Sequence, residues 1–200
     1  MKLVASLASP FARKVRTVLA EKNISFDFHE SIPWTADSDV PEYNPLGRVP
    51  ALVDDNGKAW TDSAVIVEFL ETLSTDHRLI PETATDAVQV KQLQAFADGM
   101  CEAGIAIFLE RNRETSNQSQ DWINRQLTKL ERSFGALDQE LEGKDYSFGN
   151  TFTLSDIAIV CMLQWTRFRL PDIRWQKFPN LVRFNDLHKS RPCLKETEPE

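Results

Sequence analysis

Ser9 stands directly before Pro10 and Phe11, after the short apolar run Lys2 to Ser6. Serine followed by proline starts a helix: the hydroxyl satisfies a free N–H group and proline occupies the first helical position. A hydroxyl there has two uses. It caps the helix, or it meets a bound group beside the positive helix end, since a turn after a strand of an open α/β sheet is where such folds present ligands. No His and acid pair can be assigned to activate Ser9 and no G-x-S-x-G elbow surrounds it, so a hydrolase triad is poorly supported. Asp62-Ser63 poses the same choice, a cap or an anion site built from exposed amides. Arg48 and the first-helix cations Arg13, Lys14 and Arg16 are by default solvated surface charges. Val49-Pro50 places proline just before a strand, where a cis bond would mark an unusual backbone path.

The elements around these residues follow from periodicity. Phe11, Val15, Val18 and Leu19 repeat at helical spacing up to Lys22-Asn23, and Ile24, Phe26 and Phe28 then alternate with polar neighbours as in a half-buried strand. Residues 31 to 45 read as a loop with one short helix. Ala51 to Val53 and Ala59 to Thr61 flank an Asn56-Gly57 turn and predict an antiparallel hairpin. Val65, Ile66, Phe69, Leu70 and Leu73 then form a helical stripe behind Asp62. This gives β-α-β, loop, β-β-α over residues 1–75, a polar linker over 76–85, and an all-helical segment over 86–200. In that segment Ala87 to Asn112 predicts one long helix weakened at Gly99 and Gly104, and Ile123, Leu127, Leu130, Phe134, Leu137 and Leu141 predict a second. Thr153 and Asp156 fit a capping box, with Phe152 and Ile157 as its hydrophobic staple, ahead of a helix apolar nearly all round. Both capping residues are expected to be structural, not catalytic.

Composition removes other classes. With 200 residues, 42% of them hydrophobic, the chain has material for a sizeable core, and a formal charge of −7 makes nucleic acid an improbable partner. The longest apolar run, Ile157 to Leu163, is too short to span a bilayer, and the N-terminus lacks a secretory apolar region, so a cytoplasmic location is expected. Cys101, Cys161 and Cys193, and His29, His77 and His188, are scattered; reduced thiols and no metal site are expected.

Ser9-Pro10-Phe11 followed by Arg13-Lys14-Val15, the segment Asn44-Pro45-Leu46-Gly47-Arg48-Val49-Pro50, Asp62-Ser63, and the Thr153 to Asp156 box occur in this order. Together they resemble the glutathione S-transferase superfamily, in a bacterial-type form with serine at the active position and an omega-, tau- or zeta-like first motif. The resemblance implies a thioredoxin-like N-terminal domain that binds glutathione as cosubstrate, and an all-α C-terminal domain forming most of the pocket for a small electrophilic second substrate. It implies a homodimer. By position, Ser9 would donate to the glutathione sulfur, Val49 would pair its backbone with the cysteinyl part, Asp62 and Ser63 would hold the γ-glutamyl end, and Pro50 would fix the loop. The implied activity is glutathione transfer in detoxification, with peroxide reduction or dehalogenation as neighbouring reactions; the alternative is a binding or regulatory protein of the same fold with little turnover.

The chain departs from the pattern in two respects. No cysteine precedes Cys101, which disfavours mixed-disulfide chemistry through an enzyme thiol. The loop 34–43 holds no Lys, Arg or His, so the expectation is either weak glutathione affinity or that Arg48 or a partner subunit serves the glycyl carboxylate. Asp98 is a candidate contact for the glutathione amino group across a dimer, its plainer reading being a solvated helix acid.

Overall fold

The computed structural model describes residues 1–74 and 76–199, and the chain divides into two compact units. The first takes Met1–Leu79 together with residues 192–199; the second takes Ile80–Arg191. Residues 192–199 therefore pack with the first unit, which the sequence boundary 86–200 does not anticipate.

The first unit is built on a four-stranded mixed sheet of β1 (Lys2–Ala5), β2 (Asp27–Glu30), β3 (Ala51–Val53) and β4 (Ala59–Thr61), in the order β2-β1-β3-β4. β1 and β2 are parallel, joined through α1 (Pro10–Glu21). β3 runs antiparallel to both β1 and β4. Side chains alternate between the faces of a strand. Val4 and Ala51, paired across β1 and β3, pack with Val40 of the short α2 (Val40–Tyr43) on one face. Leu3 and Leu52, the next pair, are fully buried on the other. α3 (Ser63–Leu73) follows β4 and packs beside α1. The fold is the expected thioredoxin-like arrangement.

Two sequence expectations change here. β2 begins at Asp27 rather than Ile24, and Phe28 is 38% exposed. It is an edge strand, so alternation does not translate into one buried face. Arg13 and Lys14 are buried instead of solvated; the C-terminal segment with α8 (Pro192–Lys195) packs on α1, where Arg13 Nη2 donates to the Leu194 carbonyl at 3.1 Å.

The second unit is helical: α4 (Ala84–Arg111), α5 (Gln120–Glu140), α6 (Leu154–Arg169) and α7 (Pro179–His188), with single 3₁₀ turns at Thr115–Asn117 and Trp175–Lys177. α4 runs through both glycines without a break, beginning three residues earlier than expected. Gly104 is where α4 meets α6: a Cβ there would lie 2.7 Å from Trp165 Cζ3. α6 is buried nearly all round, as its composition predicts. Asp138 of α5 accepts from the Asn180 and Leu181 amides at 2.8 and 3.1 Å, capping α7 from another helix.

Candidate functional site

Sheet register gathers the residues singled out above. Val4 pairs with Ala51, and Ala51 pairs with Thr61, so the C-terminal end of β1, the start of β3 and the end of β4 form one row. Ser9 follows the first, Arg48, Val49 and Pro50 precede the second, and Asp62 and Ser63 follow the third. All six therefore lie along one edge of the sheet, together with the N-termini of α1 and α3. α1 carries no acid in its first turn or at its cap, so its positive end is uncompensated there, whereas the Asp62 carboxylate caps α3.

Ser9 is the N-cap of α1, and its Oγ accepts the Ala12 amide at 3.2 Å. The hydroxyl proton has no acceptor among the described residues, and neither does the Phe11 N–H. An oxygen used as a cap thus still has a donor to offer, and the two readings of Ser9 are compatible.

Val49-Pro50 is a cis bond. The loop before it is organised by buried Asn44, whose Nδ2 donates to the Arg48 carbonyl at 2.8 Å and whose Oδ1 accepts the Leu46 amide at 3.1 Å. Gly47 turns this loop with φ +62°, a region open to glycine. The backbone N–H and C=O of Val49 find no protein partner among the described residues, leaving one donor and one acceptor at the sheet edge. Asn44 entered the sequence reading only as part of a motif. Its Asx-type loop geometry is the signal that marks it as a positioning residue.

Asp62 is the N-cap of α3, with Oδ1 accepting the Ala64 amide at 2.8 Å. Its φ of +70° is uncommon for a residue with a side chain and costs about 1–3 kcal/mol. Oδ2 and the Ser63 amide have no partner among the described residues. A free carboxylate oxygen beside a free amide at a helix N-terminus suits an ammonium next to a carboxylate, the head group of an amino acid.

Arg48 is exposed and makes no ion pair among the described residues. The other basic group at this end of the sheet is His29 on β2, which sits 2.6 Å from Asp39. Hydrogen bonds from Ser31 and then His29 hold the Asp39 carboxyl below its ordinary range. This pair ties the loop 31–38 to β2, and sequence reading missed it because the partners are ten residues apart in a segment without periodicity.

Thr153 and Asp156 belong to the helical unit. Asp156 is fully buried and accepts from the Thr153 amide (2.6 Å) and hydroxyl (2.9 Å) on one oxygen and the Ser147 amide (2.7 Å) and hydroxyl (2.8 Å) on the other. Its lone pairs are occupied by the fold, consistent with the capping box and a structural part. Asp98 lies on α4, where its Oδ2 accepts from Gln94 at 3.1 Å. Among the described residues no group of three or more metal-ligating side chains occurs and no helix is long and apolar enough to cross a membrane.

Comparison with known proteins agrees with this architecture. Residues 8–73 match the family Glutathione S-transferase, N-terminal domain, and residues 120–184 match Glutathione S-transferase, C-terminal domain. The chain is 36% identical to the uncharacterised GST-like protein YibF of Escherichia coli (strain K12), over 100% of this chain and 98% of that one. A glutathione S-transferase crystal structure from Methylobacillus flagellatus with GSH bound superimposes with a TM-score of 0.96 at 37% identity, covering 100% of this chain and 99% of the other. One from Methylobacterium radiotolerans, in complex with glutathione sulfonate, gives 0.94 at 32% identity, covering 99% and 94%.

Proposed function

Because this chain belongs to the glutathione S-transferase superfamily, we propose that its sheet edge binds glutathione, holds it as the thiolate beside Ser9, and delivers that thiolate to a small hydrophobic electrophile. The observation that carries the reading is the set of unused groups along one edge: the Ser9 hydroxyl proton and Phe11 N–H, the Val49 N–H and C=O, and the Asp62 Oδ2 with the Ser63 N–H. They match the thiol, the cysteinyl backbone and the γ-glutamyl end of the tripeptide. Donors at the α1 N-terminus face the sulfur, an extended backbone pairs with the cysteinyl residue, and the α3 terminus takes the amino-acid end of the γ-glutamyl group. Arg48 serves the remaining carboxylate.

The chemistry follows from charge. Lowering a thiol pKa from about 8.5 to about 6.5 needs roughly 2.7 kcal/mol, the range of one hydrogen bond to a charged acceptor plus a helix-terminus contribution. Ser9 stabilises the anion and need not remove the proton. The thiolate sulfur forms the new bond to an electrophilic carbon while the leaving group departs with its electron pair, and holding both reactants together supplies the proximity gain. Exposed Leu7, in the turn between β1 and Ser9, offers an apolar contact for the electrophile. The reading includes a cytoplasmic homodimer acting in detoxification, with no metal, and peroxide reduction or dehalogenation among the reactions to assay.

A second reading, a glutathione-binding regulatory protein, is favoured by one observation: the loop 34–43 holds no Lys, Arg or His, and His29 beside it is engaged by Asp39. Glutathione titrated to about 100 times its dissociation constant raises folding stability by about 2.7 kcal/mol in either case. Conjugation to an activated aryl halide separates them. Stabilisation with turnover supports the transferase, stabilisation without turnover the regulatory protein, and no stabilisation by millimolar glutathione overturns both.

A further inference from the structure

The segment that follows β2 is short, exposed and held at both ends. Ser31 is buried; its N–H donates to the Ala5 carbonyl at 3.0 Å and its hydroxyl donates to Asp39, the carboxylate that also meets His29 at 2.6 Å. Two consecutive turns fill the span between Ser31 and Asp39. The Thr35 N–H and hydroxyl both donate to the Ile32 carbonyl, at 3.3 and 3.1 Å, and the Ser38 N–H donates to the Thr35 carbonyl at 3.2 Å. Pro33 and Trp34 are the central pair of the first turn, where proline fixes the backbone. The loop is ordered by its own hydrogen bonds, yet its tip is a tryptophan 64% exposed, the most exposed aromatic ring among the described residues.

A lone apolar side chain on a surface needs no explanation, but this one has neighbours. β1 and β2 are parallel with Ala5 opposite Glu30, so the loops that follow them leave the sheet side by side. The loop after β1 is also a turn, closed by the Ser9 N–H on the Ser6 carbonyl at 3.0 Å, and it exposes Leu7 two residues before Ser9. Ile32 is exposed on the loop beside it. Leu7, Ile32 and Trp34 thus lie on two adjoining loops at the end of the sheet that carries Ser9. Aliphatic side chains suit any apolar group, whereas an indole face adds a preference for a planar ring that stacks on it. Glu30 and Asp37 are exposed on the same segment and residues 30–38 hold no cation, so a ring bearing an anionic group is disfavoured there.

We propose that Trp34 sets the specificity of the sheet edge: with Leu7 and Ile32 it receives the group bonded to the glutathione sulfur and selects an uncharged planar aryl group over an alkyl one. The assignment rests on glutathione occupying that edge. It does not require turnover, because the indole meets the same aryl group in a conjugate that only binds.

The test is isothermal titration calorimetry of the full chain with glutathione, S-propylglutathione and S-(4-nitrobenzyl)glutathione. The native protein should bind the nitrobenzyl conjugate about tenfold more tightly than the propyl conjugate, the ratio that one aromatic stack supplies. In Trp34→Ala that ratio should fall to about twofold or less, with the affinity for glutathione itself changed by less than about twofold. Trp34→Phe keeps a flat ring and should restore most of the preference. The side chain is exposed, so the thermal midpoints of the three proteins should agree. Failure of glutathione to bind the native protein overturns the sheet-edge reading and this one with it. Where glutathione binds, the absence of an aryl preference in the native protein, or an unchanged preference in Trp34→Ala, overturns the role of Trp34 alone. An equal loss for all three ligands would place the indole against the tripeptide, and a change confined to self-association in sedimentation velocity would assign it to a second copy of the chain; either result overturns the proposal.

Discussion

The Ala12 amide donates to Ser9 Oγ at 3.2 Å, so one oxygen closes the first turn of α1 and keeps its own proton free to point outward. Ser9→Ala removes both services. The lost cap costs about 1 kcal/mol, a midpoint drop of about 2–4 °C for a chain of this size. The lost donor raises the pKa of bound glutathione, so the rise with pH of kcat/KM for the electrophile at saturating glutathione should shift upward by up to about one unit. An unshifted profile would remove Ser9 from the chemistry and leave it a cap. Ser9→Cys, at a helix N-terminus, should gain disulfide exchange.

Asp62→Asn separates capping from charge. Asparagine tolerates positive φ and still accepts the Ala64 amide, so stability should stay within about 0.5 kcal/mol. The ammonium of glutathione loses its counter-charge, and KM for glutathione should rise about tenfold with kcat little changed. Equal KM values in the two proteins would exclude the carboxylate from binding.

His188 supplies a pH dependence in the helical unit. Its ring is buried among Phe184, Phe152 and Tyr146, and its Nε2 lies 2.7 Å from the Asp145 carbonyl. Desolvation holds its pKa below the ordinary 6.5; nearby Arg191 acts in the same direction, and the Asp145 carbonyl and the Asp156 and Asp145 charges oppose it. The unfolded chain therefore takes up a proton before the folded one does. The stabilisation is present above pH 6.5 and is lost as pH falls through the depressed value. Urea midpoints should decline between neutral pH and that value, and less steeply in His188→Gln. Parallel slopes in the two proteins would assign the decline to other groups.

Gly104→Ala places a methyl group 2.7 Å from Trp165 Cζ3 and should destabilise by about 1–3 kcal/mol. Adding Trp165→Phe opens the space, and the double variant should recover part of that loss in a denaturant double-mutant cycle. Strict additivity would show that the indole does not limit the approach of α4 to α6.

Much of the fold is local and was legible as such. Ser9-Pro10, Asp62-Ser63 and Thr153 to Asp156 announce three helix starts because capping joins groups within a few residues. Asn56-Gly57 announces the hairpin for the same reason. The apolar spacing of α5 survives as its buried face. Contacts between distant residues were not legible. Arg13 patterns as a surface charge, yet it is buried and donates to the Leu194 carbonyl of a segment about 180 residues later. Phe28 patterns as core, yet its strand lies at the edge of the sheet.

The row Val4, Ala51, Thr61 makes the same division for the site. Composition and spacing determined which side chains carry donors, caps and charge. Only strand pairing decided that Ser9, Val49 and Asp62 share one edge, because register is set by burial on both faces of a sheet and by hydrogen bonds between segments far apart in the chain.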